Sequence, residues 1–94
     1  MPGLARGLST HVVVDFPTIC ALAIEGATAC RGSRWSTLRT VSVSLADGLA
    51  PRLAMLAKQV AYMIEDGDID LAKSVWWHLY DALRQEGSEA IPPG

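Results

Sequence analysis

In Arg39-Thr-Val-Ser-Val-Ser-Leu-Ala-Asp-Gly-Leu-Ala-Pro-Arg-Leu53 the hydrophobic period changes halfway along. From Thr40 to Leu45 polar and apolar residues alternate, so Val41, Val43 and Leu45 share one face and Thr40, Ser42 and Ser44 the other, as in a half-buried strand. Asp47-Gly48 ends that strand and offers a cap for a helix that tolerates Pro51 in its first turn. From there Leu49, Leu53, Leu56, Val60 and Met63 recur at spacings of four and three, the seam of a helix packed along another helix. Ala50, Ala54, Ala57 and Ala61 run beside that seam and let a neighbouring backbone come close. The spacing predicts a helix over 48–65.

Glu65-Asp66-Gly67-Asp68 reads as a turn, with Gly67 in the left-handed conformation and Asp68 as the next N-cap. A second helix over 69–86 then places Ile69, Ala72, Val75, Trp76, Leu79, Ala82 and Leu83 on one face. Residues 48–86 therefore form a helical hairpin, closed by Gly87 and followed by a disordered tail, 88–94, that holds Pro92-Pro93.

Upstream, residues 1–10 hold Pro2, Gly3 and Gly7 without sustained period and are expected to fray. His-Val-Val-Val-Asp-Phe at 11–16 is β-branched and aromatic, and Pro17 stops it as a short strand. Thr-Ile-Cys-Ala-Leu-Ala-Ile-Glu at 18–25 fits a buried strand or two helical turns, with strand slightly preferred. Gly26 and Gly32 then punctuate a loop carrying Cys30, Arg31 and Arg34. With 11–45 rich in strand, the expected fold is a single α+β domain: short amino-terminal strands on a carboxy-terminal antiparallel helical hairpin.

At 94 residues, half of them hydrophobic and 19% charged, the chain is sized for one small core. A domain of this length buries only roughly 60–65% of its unfolded surface, so self-association would help it. No apolar run reaches the roughly 18–20 residues of a membrane span. Asp15, Pro17 and Glu25 interrupt the one greasy stretch, which also argues against a secretory leader and for the cytoplasm. Formal charge is −2, unevenly spread: residues 1–52 carry a net +2 and residues 53–94 a net −4. Arg31, Arg34 and Arg39 bracket Trp35, a combination able to hold phosphate or stack on a base.

Catalytic and metal motifs are few. Cys20 and Cys30 lack the partner set of a zinc site and read as reduced, buried thiols, with a disulfide, or a metal or reactive-thiol role, as the alternatives. Glu65, Asp66, Asp68 and Asp70 miss the calcium-loop spacing and serve better as helix caps. His78 and Asp81 are placed as a base and its orienter, but no nucleophile or metal ligand completes a site. Neither enzyme activity, metal nor cofactor is expected. Trp77 and Tyr80, one turn apart, are the aromatic anchors most suited to a partner contact.

The order strand 40–45, helix 48–65, helix 69–86 resembles the ribbon-helix-helix family of dimeric DNA-binding proteins, repressors and antitoxins among them. The likeness is carried by Arg39 to Leu53 and by Gly67 at the inter-helix turn. It implies strands from two chains paired in a major groove, Thr40, Ser42 and Ser44 toward the bases and Arg39 nearby on phosphate, while Arg31 and Arg34 join it as nucleic-acid candidates through the arginine cluster alone. Asp68 and Asp70 at the start of the second helix would repel phosphate, which ranks nucleic acid behind protein as the partner. The expected function is a non-catalytic interaction or assembly module, a homodimer or a docking protein. Its contact surface would be the Leu49, Leu53, Leu56, Val60, Met63 seam or the Trp77/Tyr80 flank; a dimeric DNA-binding regulator is the alternative.

Overall fold

A computed structural model describes residues 15–87 and 89–93. Among these residues there are four helices and no strand: α1 (Phe16–Arg31), α2 (Trp35–Gly48), α3 (Pro51–Glu65) and α4 (Ile69–Glu86). The α+β expectation is thereby corrected to an all-α fold, and each correction has a local cause.

Asp15 caps α1, its carboxylate accepting from the Thr18 N–H at 3.0 Å. Pro17 lies in the first turn, where its missing N–H costs nothing, so it starts a helix and does not stop a strand. Residues 18–25, expected as strand, and Gly26, expected in a loop, are the interior of α1. Of the strand expected over 11–16, residues 11–14 lie outside the described residues, as do the first ten. Gly32 caps the helix end, its N–H donating to the Thr28 carbonyl at 3.0 Å.

The alternating segment Thr40 to Leu45 is the middle of α2. Six residues are too short to separate a period of two from one of 3.6, and the longer window is helical. Leu38, Val41, Ser42 and Leu45 form its buried face. The Thr40 hydroxyl donates to the Ser36 carbonyl one turn back, at 3.1 Å. Val43, inward in the strand reading, is 46% exposed. The β-branched and hydroxyl residues cost a helix up to about 0.7 kcal/mol each, which packing against two neighbouring helices outweighs.

Proline chemistry separates α2 from α3. The ring of Pro51 disfavours helical backbone in the preceding residue. Leu49 and Ala50 are extended, with ψ of 158° and 154°. The helix expected from 48 thus begins at Pro51, Gly48 ends α2, and Ala50, not Asp47, stands at the N-cap of α3. Between α3 and α4, Gly67 takes φ +80° and the Asp68 N–H reaches back to the Met63 carbonyl at 2.8 Å. Asp68 stands at the N-cap of α4 but makes no side-chain cap bond.

Neighbouring helices run antiparallel. Arg39 meets Glu65 across α2 and α3, and Phe16 and Trp76 pack on Gly87 and Gly26 across α1 and α4. The four helices thus close into an up-down bundle in which α1 and α4 touch over less of their length than the other pairs. Trp76, Leu38, Leu45, Leu79 and Val60 are fully buried at its centre. Burying each such side chain contributes about 1.5–3 kcal/mol. Of the tail expected to be disordered, residues 89–93 are described, and Ile91 packs against the bundle: it is 1% exposed, Tyr80 donates its hydroxyl proton to the Pro92 carbonyl, and Arg84 Nε donates to the Ile91 carbonyl at 3.3 Å.

Candidate functional site

Helix α3 sits between α2 and α4, and its sequence gives each neighbour a different surface. The alanine row Ala54, Ala57 and Ala61 is buried, and Ala61 lines a groove with Val43 and Ala46 of α2. Small side chains there let α2 approach closely. Leu53 and Leu56 face the other way and line a groove of about 530 Å³ with His78, Asp81 and Ala82 of α4. The seam expected for a partner is therefore largely spent inside the chain. Leu53 and Val60 are buried, Leu56 and Met63 are half-buried, and Leu49 is half-buried in the α2–α3 connection.

What remains on the outer face of α3 is Pro51, Arg52, Met55, Lys58, Gln59, Tyr62 and Glu65. Met55 and Tyr62, seven residues and two turns apart, are 61% and 62% exposed. Each borders a groove, Met55 the one shared with α4 and Tyr62 the one shared with α2. Val43 adds a third exposed apolar side chain beside Tyr62. Met55, Tyr62 and Val43 had no place among the expected contact residues. The signal was present as the i, i+7 spacing of two large side chains on the face opposite the leucine seam.

The aromatic flank of α4 turns inward. Tyr80 is 1% exposed. Trp77 is half-buried, edge-on to Tyr80 with centroids 5.4 Å apart and to Trp76 at 6.5 Å. The Arg31 guanidinium lies 5.7 Å from the Trp77 ring centroid, a cation–π contact joining the end of α1 to α4. Nearby Cys30 is buried, and the loss of solvation pushes its thiol up from the ordinary value.

The residues expected toward nucleic acid do not share a face. Arg31 lies on Trp77, and Arg34 is exposed at the N-cap of α2. Arg39 pairs with Glu65 at 3.1 Å. Thr40 and Ser44 border a groove against α1, whereas Ser42 is wholly buried. His78 and Asp81 line the α3–α4 groove together with Arg52. Among the described residues no three His, Cys, Asp or Glu side chains converge as a metal site would require, and no helix is long and apolar enough to cross a membrane. Compared with protein-family models, with curated proteins and with solved structures, the chain matches none.

Proposed function

We propose that this protein is a non-catalytic protein–protein interaction module that docks its partner on the outer face of α3. One observation carries it: Met55 and Tyr62 stand more than 60% exposed on a helix whose remaining large apolar residues are at least half-buried. Covering two such side chains yields about 1.5–3 kcal/mol each. Methionine adapts to irregular surfaces, and tyrosine brings a large contact area with a polar tip, so the pair suits a surface made to be covered. The two flanking grooves give that ridge a shape for a partner to grip.

The test is site-specific photo-crosslinking. With Tyr62 replaced by p-benzoylphenylalanine and the chain expressed in its native cell, illumination is expected to yield an adduct with a second polypeptide that Met55→Glu abolishes. A chain that stays uncrosslinked, or an adduct indifferent to Met55→Glu, overturns the proposal.

A further inference from the structure

The geometry points to a second copy of this chain as the partner, with α3 lying antiparallel on its own counterpart and the two-fold axis passing at Gln59. This deepens the interaction proposal above and rests on it. A two-fold contact requires a patch that is its own complement, since wherever residue i meets j, j also meets i. Along the exposed face of α3 and its C-cap the order is Arg52, Met55, Gln59, Tyr62, Asp66. Counted from Gln59, cation and carboxylate stand seven residues to either side, and the sulfur and the aromatic ring four and three residues away. Reversing a copy of the helix about Gln59 sets Arg52 against the second copy's Asp66, Met55 against its Tyr62, and Gln59 against itself. Parallel pairing in register would instead bring like charge to like.

Each of these contacts is chemically satisfied. The only ion pair among the described residues is Arg39–Glu65, so Arg52 and Asp66 both have their charges free. Arg52 borders the same groove as Asp81 yet forms no ion pair with it. Thioether sulfur against an aromatic ring is favourable. Two glutamine amides facing across an axis each donate and accept. Lys58, on the other edge of the face, lines a groove with Asp47 and Glu65 and forms no ion pair with either, Glu65 being paired with Arg39. A helix of 15 residues is about 22 Å long, so the contact is smaller than a standard interface and the dimer dissociates readily.

Sedimentation equilibrium of the full chain, from tens to hundreds of micromolar, tests this. A reversible monomer–dimer equilibrium is expected. Arg52→Glu and Asp66→Lys, each of which breaks two symmetry-related pairs, should raise the dimer Kd by about tenfold. The double variant should recover to within about threefold, because the charges are merely exchanged. Gln59→Cys should form an inter-chain disulfide under mild oxidation, and Ser74→Cys, exposed on α4, should not. Helical circular dichroism checks that every variant folds. A chain monomeric throughout overturns the inference. In that case a Tyr62 adduct with a different polypeptide leaves the interaction proposal standing, and no adduct removes both. A dimer in which the double variant does not recover, or in which Gln59→Cys fails to cross-link, overturns this pairing.

Discussion

The indole of Trp76 rests on the bare backbone of Gly26: a Cβ at Gly26 would stand 2.3 Å from Cη2 of the ring. That contact joins α1 to α4 and closes the bundle, and it requires glycine in mid-helix, where alanine would be better by up to about 1 kcal/mol on propensity alone. Gly26→Ala is therefore expected to destabilise the protein by about 1–3 kcal/mol, overpacking outweighing propensity. Urea denaturation gives the number, and an unchanged or higher midpoint would show that the ring does not hold this position.

Ser42 and Trp76 each bury a polar atom without a partner among the described residues, Oγ and Nε1. For the serine the remedy is small: Ser42→Ala removes an unpaired hydroxyl and adds the best helix former. A gain of about 1–2 kcal/mol is expected in the same denaturation assay. A loss would mean that the hydroxyl bonds to its own helix.

The segment after α4 is held by one buried side chain and two hydrogen bonds to its carbonyls. Ile91→Ala should cost about 2–4 kcal/mol, and Tyr80→Phe, which loses only the bond to Pro92, about 1 kcal/mol. Thermal melting of the two variants would contradict this packing if neither shifted.

Acid should loosen the start of α1. The Asp15 carboxylate is held below its ordinary value, chiefly by the hydrogen bond from Thr18. A carboxylate depressed in the folded state contributes stability above its unfolded pKa and loses it as pH falls through the folded value. Stability should therefore fall below about pH 4 in part through this cap, and Asp15→Asn should flatten that part of the profile. An identical acid limb in the variant would assign the loss to other carboxylates.

Cys20 and Cys30 are both unpaired and buried, and desolvation raises the Cys30 thiol. Since the thiolate is the reactive form, a disulfide reagent at neutral pH should label the native protein slowly and both thiols rapidly once denaturant is added. Prompt labelling of the native chain would show that α1 opens locally.

Much of the hairpin was legible in the residues themselves. Val60, Trp76 and Leu79 carry the 3.6 period into the core, and Gly67 takes the left-handed turn that its position asks for. The amino-terminal half misled because its signals are short. Pro17 suits either the end of a strand or the first turn of a helix, and what separates these is the Asp15 cap beside it. Thr40 to Leu45 suits either period, and the choice rests on Leu38, two residues before the segment, and Leu45 at its end.

By itself the sequence determined what nearest neighbours along the chain control: the turn at Gly67 and the leucine seam of α3, whereas the extended break that Pro51 imposes at Leu49-Ala50 lay inside the helix expected from 48. These depend on contacts within about four residues and on the steric demands of single residues. Only the tertiary structure decided that Thr40 to Leu45 is helical, that Trp77 and Tyr80 pack inward, and that the open face of α3 carries Met55 and Tyr62. Exposure is a property of what lies across from a residue. On α3 that depends on α2 and α4 together covering the seam and the alanine row, an outcome of three-dimensional packing that no local period encodes.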